Sequence, residues 1–558
     1  EELSTGAAGH VNIAAETLTM NTATIEAQSA EGRGGNISIS VRDLQLTDGG
    51  ITASGYESSG AVTLTTDRLM AVNGSLESVI LGPGPGGNLV VSGKTVELIG
   101  GSQLITSALG DGNAGSIQVT ATDHVILSGS LPGPTRPSGI FSNSFGVDGP
   151  LGSAGSILVT APTLTMSNGA RINTATRSSG RGGDVIINAE NISISGELPR
   201  RPSEGIFGLG NQLASGIFTS TIGSSQFCAG VCGNAGHVSI TTGSLTMSSG
   251  ANINSGTSSS GQGGSVSIDA SGQIAISGTL KSGAPVGIFS SSTGTSLNSG
   301  SGGNIALTAG QSVSISDGAS VSASSTGPGN AGNIAINAGQ QFEMRNSSVK
   351  TEAAQASGGN IDIQAIDRIR LVNSSISTSV LGGAGSGGNI TIDPNVVILQ
   401  NSQIIAQAVQ GSGGNISITT PLFLADASSL VDASSQFGLN GTVNIQSPTS
   451  NLAGTISSLP SSLRQVQSLQ TGRCAALADS RSSSLIVAGR DILPAEPGGW
   501  SPSPFALMGE ETDSIAITSP PVAAMTASAD APVSLRRLTP AGFLTQSFAE
   551  NGLTGCRA

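Results

Sequence analysis

The sequence predicts an all-β protein, a right-handed parallel β-helix of about 15 coils with 25–29 residues in each coil. Three observations support this fold class. A short glycine motif recurs along most of the chain, apolar residues follow each copy with a period of two, and neighbouring copies align without gaps. The composition also departs from that of ordinary globular domains, since the 558 residues include 81 glycines and only 10% charged residues.

The repeat begins with a motif that reads Gly-Gly-Asn-Ile-x-Ile at residues 34–39. We call its second glycine the marker glycine. Apolar residues two apart follow it, then another such pair, then a further apolar residue about five positions on. Each repeat therefore offers about three short strands separated by turn residues. The marker glycines are Gly9, Gly35, Gly60, Gly87, Gly115, Gly155, Gly183, Gly236, Gly264, Gly303, Gly332, Gly359, Gly388, Gly414 and Gly441.

Two neighbouring repeats show how the coils are expected to stack. Five apolar residues of one repeat lie 27 positions before five apolar residues of the next. They are Ile334, Ile336, Phe342, Met344 and Val349, followed by Ile361, Ile363, Ile369, Leu371 and Ile376. One repeat cannot bury its apolar face alone, but stacked repeats bury a continuous core. The handedness of parallel β connections predicts right-handed winding.

The position after the marker glycine is polar in nearly every copy. Stacked asparagines can hydrogen-bond from coil to coil, so we predict a structural ladder here and not a ligand site. The asparagines of this ladder are Asn36, Asn88, Asn304, Asn333, Asn360, Asn389 and Asn415. His10 and His237 take the same position many coils apart, so they are not expected to share a metal ion.

Three spacings between marker glycines are long and predict loop insertions at about residues 128–153, 195–234 and 277–301. Every insertion contains the sequence Gly-Ile-Phe. The phenylalanines of these motifs are Phe141, Phe207, Phe218 and Phe289. Two interpretations are open: the rings are exposed and contact a partner or glycan, or the motifs pack back onto the helix and cap the loops.

Residues 446–558 follow the repeats and are predicted to form a proline-rich C-terminal tail, largely irregular and partly extended or disordered. The sequence holds four cysteines, and a sparse, even number fits an oxidising, extracytoplasmic compartment. We favour pairing of Cys228 with Cys232 and of Cys474 with Cys556. Four free thiols are the alternative.

Charge and motif content exclude several classes of function. The net charge is −13 and no basic stripe occurs, so no nucleic-acid partner is expected. No run of 18 apolar residues predicts a transmembrane segment. Metal-site, P-loop and nucleophile-elbow motifs do not occur, so we predict no cofactor, metal or catalytic residue and no enzyme activity.

A carbohydrate-active β-helix enzyme, a polysaccharide lyase or hydrolase, is the main alternative because this fold hosts such enzymes. Their sites need clustered carboxylates or basic residues on neighbouring coils. The acidic residues here fall in unmatched columns, as Asp269, Asp317, Asp362 and Asp393 illustrate.

The repeats and the tail together resemble the filamentous haemagglutinin-like exoproteins of two-partner secretion, many of which are labelled S-layer-family or β-strand-repeat proteins. The resemblance of the repeats covers residues 1 to about 445. The tail resembles the family more narrowly, through Cys474, the stretch 483–490 and the pair 493–494. Asp491 and Ile492 stand where the family usually has two glycines, and Ala495 replaces its second proline.

The resemblance implies a secreted or cell-surface structural or adhesive rod, a haemagglutinin-like adhesin that presents loops to surfaces, cells or matrix. It also implies a partner, an outer-membrane β-barrel transporter, and a location outside a Gram-negative type outer membrane. The family's amino-terminal secretion domain, with its Asn-Pro-Asn-Gly signature, is not in the sequence, which fits a carboxy-terminal portion. An autotransporter-type passenger is a further alternative, disfavoured because no amphipathic barrel strands precede the end of the chain.

Overall fold

The computed structural model describes residues 6–131, 136–145, 152–176, 179–198, 214–221, 232–258, 260–294 and 299–448. The chain divides into two units, residues 1–461 and 462–558, and every described residue belongs to the first. Within the described ranges all regular structure is β-strand, and no helix has the length and apolar character needed to cross a membrane. The predicted tail, apart from residues 446–448, lies outside the description.

The structure contains 38 strands in the described residues. In chain order they are β1 (Val11–Asn21), β2 (Thr24–Gln28), β3 (Ile37–Thr47), β4 (Gly50–Gly55), β5 (Val62–Thr65), β6 (Arg68–Val72), β7 (Ser75–Ile80), β8 (Leu89–Ile99), β9 (Gln103–Ala108), β10 (Ile117–Ser128), β11 (Ser130–Leu131), β12 (Arg136–Pro137), β13 (Gly139–Ser144), β14 (Ile157–Ser167), β15 (Arg171–Asn173), β16 (Val185–Ser195), β17 (Ser215–Phe218), β18 (Val238–Met247), β19 (Ala251–Asn254), β20 (Val266–Ala270), β21 (Gln273–Ser277), β22 (Gly287–Phe289), β23 (Ile305–Ala309), β24 (Ser312–Ser316), β25 (Ser320–Ser322), β26 (Ile334–Asn337), β27 (Gln341–Arg345), β28 (Ser348–Lys350), β29 (Ile361–Gln364), β30 (Arg368–Val372), β31 (Ser375–Ser377), β32 (Ile390–Asp393), β33 (Val396–Gln400), β34 (Gln403–Ile405), β35 (Ile416–Thr419), β36 (Leu422–Ala425), β37 (Leu430–Asp432) and β38 (Val443–Gln446).

Two long sheets run through all the turns. Sheet 1 has 22 strands and contains the first two strand segments of each turn, which are fused into one long strand in turns such as β3 and β10. Sheet 2 has 14 strands, from β2 to β37, and contains the last strand of each turn. Strands of successive turns pair in parallel in both sheets, as β1 does with β3 and β2 with β4. The predicted parallel β-helix architecture is therefore confirmed.

The core consists of apolar columns between the two sheets. Ile334 pairs in register with Ile361. The other four pairs predicted from these two repeats are also in register, the last being Val349 with Ile376. All ten side chains are at most 2% exposed. The fourteen strands of sheet 2 give about 14 turns, one fewer than predicted, because only β38 follows the last marker glycine, Gly441, in the described part of the chain.

The marker glycines form a column in which the backbones of successive turns touch. A Cβ atom on Gly332 would overlap the carbonyl oxygen of Gly303, and one on Gly359 would overlap that of Gly332. The N–H of Gly359 donates to the carbonyl of Thr351 at 3.1 Å, and the Thr351 hydroxyl donates to the Gly359 carbonyl at 2.5 Å. Hydrogen bonds of this kind tie sheet 2 of one turn to sheet 1 of the next.

A left-handed residue turns the chain from sheet 1 towards sheet 2. Asn346, Asn373 and Asn401 hold φ values between 46° and 49° here, a region that asparagine tolerates better than most residues. Their side chains stack: Nδ2 of Asn373 donates to Oδ1 of Asn346 at 3.1 Å, and Nδ2 of Asn401 donates to Oδ1 of Asn373 at 3.0 Å. This second asparagine ladder was not predicted.

Two aspartates bind the last complete turn to the turn before it. The Ser429 hydroxyl and the backbone N–H of Asn401 hold the pKa of Asp426 below its ordinary value. At Asp432, partial burial favours a higher pKa. Hydrogen bonds from the backbone and side chain of Ser434 and from the side chain of Gln407 outweigh it, so the pKa of Asp432 is also lowered. Gln407 and Asn401 belong to the preceding turn, so both carboxylates join turns.

Replacing a marker glycine tests the glycine column. The Gly332→Ala variant should lose about 1–3 kcal/mol of stability, because its methyl group must push two backbones apart. Gly9→Ala is the matched control, since it is also a marker glycine but a Cβ there meets nothing within 4 Å. Thermal unfolding followed by circular dichroism compares the two variants. Equal midpoints for Gly332→Ala and Gly9→Ala would contradict the role of the column.

Acid should loosen the last turn first. A carboxylate whose pKa is lowered by folding stabilises above its unfolded pKa, about 3.9 for aspartate, and loses that contribution as the pH falls through the folded value. Hydrogen exchange in β37 should therefore accelerate relative to β25 below about pH 3.9. Asp432→Asn keeps an acceptor without a titrating group and should reduce this pH dependence. A constant ratio of the two exchange rates across this range would count against the prediction.

Candidate partner-binding face

The asparagines of the predicted ladder all lie at the exposed corner before the first strand of a turn. Oδ1 of each accepts a hydrogen bond from the backbone N–H at the same position one turn later, at 2.9–3.0 Å. From Asn304 these bonds continue without a break to Thr442. His237 fits the same scheme: its N–H donates to Asp184 and its Nδ1 accepts from Ser265. The side chains at these positions thus join backbone to backbone.

The described Gly-Ile-Phe motifs lie in strands of sheet 2 and not at loop tips. Ile140, Ile217 and Ile288 each take the core position of their strand and are fully buried. The residues of the motif alternate between core and surface as in the other strands of sheet 2, so the motif fits the register of that sheet. Phe207 belongs to the extra copy of the motif and lies outside the described residues.

A short excursion from the solenoid precedes each of these strands. Before β13, the short strands β11 and β12 pair antiparallel, and isolated antiparallel bridges join Glu197 to Ala214 and Thr279 to Pro285. The side chain of Arg136 in β12 donates to Gln103 of β9 at 2.8 Å. Each predicted insertion is therefore divided in two by a strand of sheet 2.

Phenylalanine and asparagine alternate on the outer surface of sheet 2. Consecutive registers join five outward-facing positions into one column, which we call the aromatic face. Its members are Phe141, Asn173, Phe218, Asn254 and Phe289. Phe141 is 7% exposed and Asn173 4%, whereas the other three are half-buried. At about 4.8 Å between paired strands, neighbouring rings in the column are about 10 Å apart.

Arg171 is the most deeply buried charged side chain in the described ranges. It projects from β15 beside the aromatic face, is 2% exposed, and lies 4.9 Å from the centre of the Phe218 ring, a cation–π contact. Desolvation by burial lowers the pKa of Arg171 to about 10. Gly139 and Gly216 are its partners in the adjacent strands, so no side chain of theirs crowds it. Sequence reasoning missed Arg171, although this glycine pairing was the available signal.

A second polar cluster lies at a β-bulge on the outer surface of sheet 1. The register of β10 shifts before His124 against both neighbouring strands. The His124 side chain is 26% exposed, with Nε2 3.5 Å from Oε1 of Glu97 and Nδ1 3.2 Å from Oδ2 of Asp123. The sequence pattern did not reveal this cluster, because the bulge moves His124 out of the regular spacing. No group of three or more histidine, cysteine, aspartate or glutamate residues in the described ranges is arranged to hold a metal ion.

The cysteines are only partly visible in the structure. Cys232 is disulfide-bonded and 8% exposed. The other three cysteines of the predicted pairings lie outside the described residues: Cys228, Cys474 and Cys556.

Removal of the Arg171 side chain tests whether it supports the aromatic face. Arg171→Ala should lower the free energy of unfolding by about 2 kcal/mol or more, because the packing of a large buried side chain is lost. Arg345→Ala removes an arginine that is 48% exposed and paired with Glu343, and should change stability by less than about 0.5 kcal/mol. Thermal unfolding of the two variants compares them. If Arg171→Ala is as stable as Arg345→Ala, the buried arginine does not hold this face together.

Comparison with known proteins yields no match: no family model, no curated protein and no solved structure is significantly similar to the chain. The described fold, the aromatic face and the cluster around His124 are therefore the basis for a proposal about function.

Proposed function

We propose that this chain is a secreted or cell-surface adhesive rod of the filamentous haemagglutinin-like, two-partner secretion type. The observation that carries the proposal is the regular solenoid, in which short excursions precede one set of sheet 2 strands. The regular turns would act as a support, and the aromatic face with its excursions would make the contacts. Many weak contacts along a repeated surface would add up through multivalency.

The architecture suits export as an unfolded chain. The described strands of each turn pair only with those of neighbouring turns, so folding can proceed turn by turn as the chain emerges from a transporter. The disulfide at Cys232 supports an oxidising destination, since disulfides persist mainly outside the reducing cytosol. Phenylalanine rings beside amide groups, as in the aromatic face, combine a large apolar contact area with hydrogen-bonding groups.

A carbohydrate-active enzyme is the second candidate, and the His124 cluster favours it. Bulges recur next to active sites, and an imidazole flanked by two carboxylates is suited to moving protons. The cluster lies on sheet 1, whereas the aromatic face lies on sheet 2. The two candidates therefore assign function to separate surfaces.

Protease treatment of intact native cells tests the surface location. Cells with and without the outer-membrane transporter are digested, and this chain is detected by immunoblotting. We expect cleavage only in cells that have the transporter, with a periplasmic marker protein left intact as the control. If the chain resists cleavage in both strains, the adhesive proposal fails. The purified chain and its His124→Ala variant should then be compared for polysaccharide cleavage.

A further inference from the structure

The C-terminal end of the described solenoid is apolar and open. Five of the eleven exposed large apolar side chains in the described ranges belong to the last turns. They are Leu424, Leu430, Phe437, Leu439 and Val443, exposed by 37%, 45%, 74%, 77% and 43%. Val443 pairs with Ile416 of the preceding turn, which is 1% exposed. The core columns therefore reach this end uncovered.

The backbone is also open at this end. β36 pairs with β33, β37 with β34 and β38 with β35, and no described strand lies on their other edges. An apolar end with free strand edges would pair with other chains and aggregate. Solenoids therefore need a cap at each end for solubility.

We propose that residues 449–461 of this chain form the cap as an extended segment, with Leu452 and Ile456 packed against Phe437 and Val443. The segment follows directly after the open end, three residues beyond the last residue of β38. Leu452 and Ile456 are four positions apart, so both lie on one face of an extended segment, and the segment contains no charged residue. An uncharged, partly apolar segment matches the apolar surface that it would cover.

The segment is long enough to cross the end of the solenoid. Thirteen extended residues span up to about 43–47 Å. An 11-residue strand of sheet 1, such as β3, contains the first two strand segments of a turn and spans at most about 36 Å. The segment is therefore long enough to reach from Pro448 back to the corner that carries Phe437.

Covalent attachment favours this segment over a second copy of the chain. A tethered segment acts at a high effective concentration and does not lose the translational and rotational freedom that association costs. Pro448 precedes the segment and Pro460 lies next to its last residue, and proline cannot donate a ladder hydrogen bond. The prolines would prevent another strand from pairing along the whole outer edge of the cap.

Photo-crosslinking in the full chain identifies the occupant of the open end. A benzophenone amino acid replaces Phe437, and the same probe at Leu81, another exposed apolar residue, is the control. Mass spectrometry should find crosslinks from position 437 to residues 449–461 within a monomer, and none to that segment from position 81. Crosslinked dimers, crosslinks to residues 462–558, or no crosslink to the segment would each overturn the proposal.

A pair of substitutions measures what the contact contributes. Leu452→Ser with Ile456→Ser should raise hydrogen exchange in residues 422–446 on the order of tenfold or more, because the cap is weakened. Ile515→Ser with Ile517→Ser removes equal apolar area from a distant part of the tail and should leave that exchange unchanged. Equal exchange in both double variants would contradict the proposal, whatever the crosslinking shows about proximity.

Discussion

Direct backbone contact between the marker glycines of successive turns is the constraint on which the rest of the structure depends. Each marker glycine lies against the carbonyl of the one before, so any side chain at this position would separate the turns. The column fixes the stacking distance where sheet 2 of one turn passes into sheet 1 of the next. Because that crossing recurs at the same place in every turn, the apolar columns and the asparagine ladder fall into register on both sides of it.

Much of this architecture could be predicted from the sequence because a solenoid repeats its chemistry. The five-column alignment of Ile334 to Val349 with the next repeat corresponds to the observed register, residue for residue. The asparagines after the marker glycine could be found in the same way. Their bonds differ from those of a cross-β stack, since each Oδ1 mostly accepts a backbone N–H and not a neighbouring side-chain amide.

The remaining features depend on information that spacing alone does not carry. The second asparagine ladder was not predicted because aspartate, glycine and asparagine all occur at its left-handed corner. These residues share a positive φ, which the spacing of the sequence does not show. The Gly-Ile-Phe motifs were assigned to insertions because the long spacings placed them there, but Ile140 had the alternation of a core strand. Arg171 is buried where its partners in both adjacent strands are glycines, a signal that appears only when neighbouring turns are aligned at that position, and His124 is displaced by a bulge. Counting along the apolar columns therefore located neither residue.

The left-handed corner also bears on how the protein ages chemically. Asparagine followed by glycine or serine loses its amide when the next backbone nitrogen attacks the side-chain carbonyl carbon, and Asn73, Asn168 and Asn373 are all in such pairs. In each case the attacking nitrogen already donates to a serine hydroxyl of the following turn, at 2.8–3.2 Å. The left-handed backbone and the hydroxyl together hold that nitrogen away from the amide. A protein that places such asparagine pairs at its corners gains a longer chemical lifetime from this arrangement.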